Sequence, residues 1–214
     1  IPDMPAQCGC GQEQSVSHSQ ICQKGGLILM RASAPQTLFA NLCREVHPDV
    51  ELEPHLLNLT EPEAKDLKSN YKSAITDPEA RSDVRVNNFF GNLQSAFFEF
   101  RVSFPNARSY VSLELAKFYE QIEQVRIREY QERINKVDGG SFTPMVMSST
   151  GGMGPRMQVV FKKLVAKIAK KRDEAPSFVS GLLRCQFSFA LLRATLICLR
   201  GSRLPRTNSS ALWR

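Results

Sequence analysis

Four residues of the kinds that bind soft metals lie close together near the start of this chain. They are Cys8, Cys10, His18 and Cys22. Three thiolates and one imidazole complete a closed tetrahedral zinc (Zn²⁺) site, so the pattern C-x-C-x7-H-x3-C predicts a structural zinc knuckle. Gly9 allows the tight turn that a single intervening residue requires. Because residues 8–26 hold almost no apolar side chains, we expect zinc to fold them. The alternative is free thiols in a flexible segment.

Length and composition indicate one folded core with a small appendage. The 214 residues are 42% apolar, which is enough for one core of about 150 residues. No stretch resembles a signal peptide, so we expect an intracellular protein, nuclear or cytoplasmic, that is not secreted. Because the chain begins at Ile1 rather than at a methionine, we expect it to be a fragment of a longer polypeptide.

The apolar C-terminal region is predicted to be a buried helix. Residues 177–200 are apolar around most of the helix circumference, which favours burial against the sheet or a partner. Arg184 and Arg193 would be costly inside a bilayer, so no membrane is expected. The cysteines outside the knuckle lie among apolar residues and are predicted to be reduced core thiols without disulfides. They are Cys43, Cys185 and Cys198.

Positive charge is concentrated in the last third of the chain. Residues 156–214 contain 13 Lys or Arg against two acids, Asp173 and Glu174, whereas the residues before them carry a net charge of −4. A basic segment of this kind can bind nucleic acid through phosphate contacts, and it can equally be a solvated surface.

Hydrophobic periodicity predicts a mixed α/β fold. Helical spacing marks residues 36–46, 112–137, 156–171 and 177–200, and strand patterns mark 81–86, 96–104 and 142–147. We therefore expect a small mixed sheet flanked by helices, with an N-terminal zinc knuckle and a helical C-terminal part. The predicted divisions are a knuckle (1–26), an α/β core (27–155), basic and apolar C-terminal helices (156–203) and a disordered tail (204–214).

An acid pair on the two predicted strands could bind a second metal. Asp83 ends one strand, and Glu99 with Arg101 forms an acid-x-cation triplet on the next. Two carboxylates and water are ligands that magnesium (Mg²⁺) prefers, and such an ion can activate water for phosphodiester cleavage. The alternative is an ordinary cross-strand ion pair at the surface.

Four stretches of the chain carry a family likeness. They are CGCGQEQSVSHSQICQKGG (8–26), ARSDV (80–84), FFEFRV (97–102) and GSFTPMVMSSTGGMGP (140–155). Together they resemble the region downstream of the reverse transcriptase in animal non-LTR-type retroelements. In that family a zinc knuckle precedes a restriction-like endonuclease of the PD-(D/E)XK type. The resemblance spans about residues 5–203 and implies a restriction-endonuclease-like core. It also implies a DNA or RNA partner and an adjoining reverse transcriptase portion.

The resemblance assigns roles to five residues of the core. It makes Asp83 and Glu99 the magnesium-binding acids and Arg101 the cation of the triplet, and it adds Arg126 and Tyr130 on the long helix. It implies metal-dependent nicking of target DNA, which primes reverse transcription.

Three departures from the family pattern concern these roles. Residues 31–35 read RASAP, without the histidine and glutamate that relatives carry there, and arginine replaces lysine at 101 and 126. Arginine can stabilise an anion but is a poor proton acceptor. The competing prediction is a non-catalytic nucleic-acid-binding module that keeps the fold and the finger.

Two further patterns have ordinary interpretations. The glycine-rich turn at 151–154 precedes a helix and could bind phosphate, although such glycines more often only form the turn. His47 and His55 lie in polar segments next to prolines and are predicted to face solvent.

Overall fold

A four-stranded mixed sheet lies at the centre of the chain. The computed structural model describes residues 6–91 and 93–200. Its strands are β1 (Val50–Leu52), β2 (Val84–Asn87), β3 (Ser95–Ser103) and β4 (Ser141–Ser148), in the spatial order β1-β2-β3-β4. The first three strands are antiparallel, and β4 runs parallel to β3. The chain crosses over between β3 and β4 through a long helix, as a parallel pair requires.

Seven α-helices surround this sheet in the described part of the chain. They are α1 (Val16–Ile21), α2 (Leu27–Met30), α3 (Ser33–Val46), α4 (Glu61–Asn70), α5 (Leu115–Arg133), α6 (Pro155–Arg172) and α7 (Pro176–Arg200). A π-turn, Ile134–Asp138, continues α5, and Gly139 ends it with a left-handed φ of 63°. The structure confirms the predicted fold class, a mixed sheet flanked by helices with a Cys/His cluster at one end and a helical C-terminal part.

The two faces of β3 divide the core. Alternate residues of this strand point to opposite sides. On one side its apolar residues pack with α3, α6 and α7, where Phe98 makes edge contact with Phe39 at a ring distance of 5.0 Å. On the other side Phe97 packs with Tyr130 and Ile134 of the long helix and its π-turn. Glu99 and Arg101 share this second side with Phe97, so α5 covers the face that carries the predicted site.

The four helices and three strands predicted above lie within a few residues of their observed bounds, but β1 and the short helices α1 and α2 were not predicted. Only Val50 and Leu52 of this three-residue strand are partly buried, and polar sequence surrounds them. So short a strand leaves almost no alternating pattern to detect. The predicted disordered tail, 204–214, lies outside the described residues.

A buried arginine anchors the long polar connection between β1 and β2. Arg133 at the end of α5 is 0% exposed. Its Nη1 donates to the carbonyl oxygens of Ile75 and Asp77 at 3.2 and 2.7 Å, and its Nη2 donates to that of Leu57 at 3.1 Å. These charge-assisted hydrogen bonds compensate for the burial of the guanidinium and hold the connection against α5.

The structure corrects the prediction that α7 is buried. One stripe of the helix enters the core, and its members are Val179, Leu183, Phe187, Leu191, Ala194 and Cys198. The other sides remain open, and Cys185 is exposed rather than a core thiol. By length and composition alone this 25-residue helix could cross a membrane. The protein's own core buries 28% of the 18-residue apolar stretch on which this comparison rests.

Candidate functional site

The predicted zinc knuckle is built from a tight hairpin and a short helix. Hydrogen bonds from the Cys8 amide to Gln12 O and from the Gln14 amide to Ala6 O, both 2.8–3.0 Å long, close the hairpin that carries Cys8 and Cys10. The helix α1 carries His18, and Cys22 follows one turn later. Ser15 caps this helix by accepting a hydrogen bond from the His18 amide at 3.0 Å.

The four donor atoms converge as a tetrahedral metal site requires. The four are Cys8 Sγ, Cys10 Sγ, a ring nitrogen of His18 and Cys22 Sγ, and all lie within 4.8 Å of one another. Cys8 Sγ and Cys22 Sγ are 3.6 Å apart, and Cys10 Sγ is 3.2 Å from His18 Nε2. Zinc–sulfur bonds of about 2.3 Å in a tetrahedron give sulfur separations of about 3.8 Å, so the arrangement fits zinc. The structure thus confirms that the four predicted ligands come together.

This set of four protein ligands is typical of a structural rather than a catalytic zinc ion. Three thiolates and one imidazole occupy all four tetrahedral positions and leave none for water or substrate. Cys8 and Cys22 are buried, whereas Cys10 lies at the surface. Within residues 6–91 and 93–200, the cluster is the one place where three or more His, Cys, Asp or Glu donors converge so closely.

Arg31 joins the knuckle to the central sheet. This residue is 4% exposed. Nη1 donates to the carbonyl oxygen and to Oε1 of Gln20 in α1, at 3.0 and 2.9 Å, and Nη2 donates to Val102 O at the end of β3, at 2.9 Å. Arg31 thus has a structural role, because it fixes α1 against the strand that carries Glu99.

Asp83, directly before β2, lies across from Glu99 of β3. The β2–β3 register pairs Val84 with Phe98, and one step beyond the end of β2 sets Asp83 opposite Glu99. Asp83 Oδ2 accepts a hydrogen bond from the Phe100 amide at 2.5 Å, which fixes the carboxylate against β3. The sequence prediction that these two acids are neighbours therefore agrees with where the structure places them.

The surroundings of the acid pair disfavour two negative charges. Burial raises the pKa of Asp83, while the Phe100 amide opposes that rise and the charge of Glu53 adds to it. Burial also raises the pKa of Glu99, and the charge of Asp83 adds to the rise. Arg126 lowers the pKa of both carboxyls. A buried like-charge pair of this kind is stabilised by a cation or by a proton.

The long helix contributes both Arg126 and Tyr130 to the pair's surroundings. Arg126 Nη1 forms an ion pair of 2.6 Å with Glu129 Oε2. Tyr130 is buried and stacks on Phe142, with ring centres 5.4 Å apart. Burial raises the pKa of Tyr130, and the negative charge of Glu99 adds to this effect. The phenol therefore stays protonated and is available as a hydrogen-bond donor.

Arg101, the fifth predicted site residue, lies two residues beyond Glu99 on the same side of β3. Its charge acts on Arg31: burial lowers the pKa of Arg31 most, and the charge of Arg101 lowers it further. The structure thus brings Asp83, Glu99, Arg126 and Tyr130 into one electrostatic neighbourhood.

Two acids of this neighbourhood were not predicted. Glu53 is an exposed residue with a left-handed φ of 51°, and its amide donates to Asp83 O at 2.9 Å. Glu129 lies one turn after Arg126 on α5. Its i, i+3 position relative to Arg126, a predicted site residue, was the one available signal. The position of Glu53 depends on the pairing of β1 with β2, which are distant in sequence.

Side chains of the protein fill the space beside the glycine-rich turn at 151–154, so a phosphate could not bind there. A Cβ at Gly152 would overlap the Tyr119 hydroxyl, and one at Gly154 would lie 2.6 Å from Glu123 Oε1. Glu123 also accepts a hydrogen bond from the Arg156 amide at the start of α6, at 3.1 Å. A carboxylate thus occupies the helix terminus where an anion would bind, which favours the structural interpretation of these glycines.

Several cations of α6 serve the fold. Lys163 and Lys167 donate to the carbonyl oxygens of Phe90 and Phe89, and Lys171 donates to that of Glu45. Arg172 binds the Glu45 carboxylate through two nitrogens at 2.8–3.1 Å. Part of the positive charge in the C-terminal third is therefore engaged in contacts within the protein and is not free to bind phosphates.

One histidine prediction was wrong. His47 was expected in solvent, but it is 6% exposed and its ring stacks on Phe89 with centres 5.4 Å apart. Lys167 Nζ lies 3.0 Å from His47 Nε2. Burial lowers the pKa of His47, and the charge of Lys167 lowers it further. The ring is therefore a neutral part of the packing between α3 and α6, whereas His55 is exposed as predicted.

No protein-family profile and no curated protein matches this chain. The fold and its sites define a mixed α/β domain with a Cys/His cluster that could bind zinc and a separate, partly buried acid pair.

Zinc content tests the knuckle. The purified chain is expected to hold about one zinc ion. Cys22→Ser should lose most of it, because the remaining three ligands bind less tightly, whereas Cys185→Ser should keep it, because that exposed thiol lies on α7. Elemental analysis of the three proteins measures the difference. Equal zinc content in the wild type and Cys22→Ser would contradict the assignment.

The pH dependence of stability tests the acid pair. A carboxyl with a raised folded-state pKa stabilises the fold while protonated, and this contribution is lost as the pH rises from the unfolded value of 4.5 through the folded value. Glu99→Gln should therefore match the wild type at about pH 4 and have the higher Tm at about pH 9 in metal-free buffer. Thermal unfolding across this range measures it.

Glu120→Gln is the matched control, because Glu120 is an exposed acid on α5. Its Tm difference from the wild type should stay constant with pH. A constant difference for Glu99→Gln as well would show that the Glu99 carboxyl is not buried beside Asp83.

Proposed function

We propose that this chain is a retroelement-derived DNA endonuclease domain that nicks its target by metal-dependent hydrolysis of a phosphodiester. The observation that carries the proposal is the opposed position of Asp83 and Glu99 on adjacent strands, under a helix that adds Arg126. The resemblance of four sequence stretches to the region downstream of non-LTR reverse transcriptases supports it. The domain would act beside the reverse transcriptase portion of a longer polypeptide.

The acid pair suits a magnesium ion by its chemistry. Magnesium is commonly bound by one or two carboxylates and keeps several waters, so Asp83 and Glu99 are sufficient protein ligands. Because the pKa values of both carboxyls are raised, two ionised carboxylates are unfavourable here, and a bound divalent cation would stabilise them. When bound, such an ion activates water and neutralises charge on the phosphate.

The protein's own groups would position the reacting phosphate. The Phe100 amide holds Asp83 in place, and Arg126 supplies a positive charge for the developing oxyanion. Tyr130, which stays protonated, can donate a hydrogen bond to a phosphate oxygen. Attack of water on phosphorus breaks the P–O3′ bond and leaves a 3′ hydroxyl, the group that a reverse transcriptase extends.

Contacts with the DNA backbone would come from the exposed cations. Lys162 and Lys170 are exposed on α6, and each is followed in sequence by a lysine that binds an internal carbonyl. They would bind phosphates without reading sequence. The zinc knuckle, held to the end of β3 by Arg31, would present a second surface to DNA or RNA next to the acid pair.

One observation favours a non-catalytic nucleic-acid-binding module instead. Arginine stands at 101 and 126, and Arg126 is already paired with Glu129 at 2.6 Å. Arginine cannot act as a general base at working pH. If cleavage has been lost, the fold and the knuckle would still bind nucleic acid.

A nicking assay distinguishes the two functions. The zinc-loaded chain should convert supercoiled plasmid to the open circle only with added magnesium. Asp83→Asn and Glu99→Gln should slow this at least about 100-fold, because each removes one charged ligand, while Glu120→Gln should nick normally. Gel analysis measures the rate, and filter binding measures DNA affinity, which should change little in all three variants.

The binding-module alternative predicts a different result. Under it the wild type binds plasmid with salt-dependent affinity and never nicks it, with or without magnesium. Nicking that persists in both acid variants would contradict the proposed site even if the chain were a nuclease.

A further inference from the structure

A line of apolar side chains runs along the open side of α7. We call it the α7 seam, and its members are Phe178, Leu182, Cys185, Phe189, Leu192 and Leu196. Phe178 is 62% exposed, Phe189 58% and Leu192 52%. A continuous line of large, exposed apolar side chains is typical of an interaction surface for a protein, a membrane or a ligand.

The spacing of the seam is that of a coiled coil. Successive members are alternately four and three residues apart, which gives the 3.5-residue repeat of a and d positions. The stripe that α7 buries in its own core, from Val179 to Cys198, lies on another side of the helix. This helix is therefore apolar on two sides, of which the described part of the chain covers one.

A groove lies next to the seam. It has a volume of about 690 Å³ and runs between α3 and α7. Thr37, Leu38 and Asn41 line its α3 wall, and Phe189, Ala190 and Arg193 line its α7 wall. Because Phe189 belongs to both the seam and the groove, a helix that packs on the seam would also place side chains into the groove.

We propose that the α7 seam and the adjoining groove bind a second copy of this chain, so that the protein is a dimer through α7. The helix contains arginines but no acid, and the positions beside the seam on one flank are Gly181, Ser188 and Thr195. In a parallel pair these small side chains face Gln186 and Arg193 of the other copy. In this arrangement no two arginines of the two copies face each other across the contact. The small residues on its flank allow the two helices to approach closely.

The exposed area is near what a dimer needs. The open parts of the seam's phenylalanines and leucines amount to on the order of 500 Å² of apolar surface in each chain. Two copies would bury about 1,000 Å² before the groove is counted, and a specific interface begins near that size. Contacts at the small end of the size range are commonly weak and transient, so we expect a dissociation constant on the order of micromolar.

Two other occupants are less well suited. A bilayer interior would have to accept Arg184, whose guanidinium lies 5.1 Å from the ring centre of Phe161 in the core of the same chain. A nucleic acid would find apolar side chains where it needs cations. Dimerisation through the seam requires neither magnesium nor DNA, so it is independent of the nuclease proposal.

Sedimentation velocity of the zinc-loaded full chain, from about 1 to about 100 µM, tests the proposal. The wild type should shift from monomer to dimer across this range, and Phe189→Asp should remain a monomer with an unchanged circular dichroism spectrum. The control is Val159→Asp, which places the same charge at an apolar position on α6 that is 63% exposed. It should dimerise like the wild type. If Phe189→Asp fails to fold, Leu192→Gln at another half-exposed seam position takes its place.

Three results would overturn the proposal. One is a wild type that stays monomeric throughout this range. If that monomer also floats with vesicles of phosphatidylcholine and phosphatidylserine, the seam binds a lipid surface instead. Another is a dimer that survives both seam substitutions. The third is a dimer that forms only when residues 201–214 are removed, which would make that segment the occupant of the seam.

Discussion

The position of β3 between two hydrogen-bonded neighbours is the constraint on which the rest of the structure depends. This strand pairs antiparallel with β2 and parallel with β4, and helices cover both of its faces. One face can therefore be wholly apolar, while the other must find room for Glu99 and Arg101 under α5. Burying the Glu99 carboxyl has an unfavourable free energy, which only a partner charge or a proton can offset. Arg126 supplies part of that compensation, and a divalent cation would supply more.

The same strand connects the Cys/His cluster with the acid pair. Arg31 donates at once to Gln20 in the knuckle helix and to Val102 in β3, three residues from Glu99. The knuckle has few apolar residues of its own, so its orientation depends on this buried guanidinium and on the contacts of α1 with α7. A change in the knuckle thus has a direct physical route to the strand that carries the acid pair. This route consists of hydrogen bonds from one guanidinium, which a substitution at Arg31 would remove without changing any of the four Cys/His side chains or either acid.

Sequence patterns were sufficient to predict features that depend on residues close together in the chain. The knuckle ligands lie within one short segment, so their types and spacing predicted their convergence, and the alternation of β3 predicted both its strand and its acid face. The failures concern contacts between distant segments. Glu53 reaches Asp83 only because β1, a three-residue strand, pairs with β2. His47 is buried because Lys167, which follows it by 120 residues, covers the end of α3. The open side of α7 was not predicted because a helix that is apolar all round gives no sign of which side its own chain covers.

The central claim is that Asp83 and Glu99 together form a divalent-cation site in a mixed α/β domain. Calorimetric titration of magnesium into the zinc-loaded chain at about pH 8 tests it directly, since the zinc site is then already filled. The account predicts binding of about one magnesium ion per chain, weakened at least about tenfold in Glu99→Gln and unchanged in Glu120→Gln. The absence of binding in the wild type, or equal binding in Glu99→Gln, would contradict it.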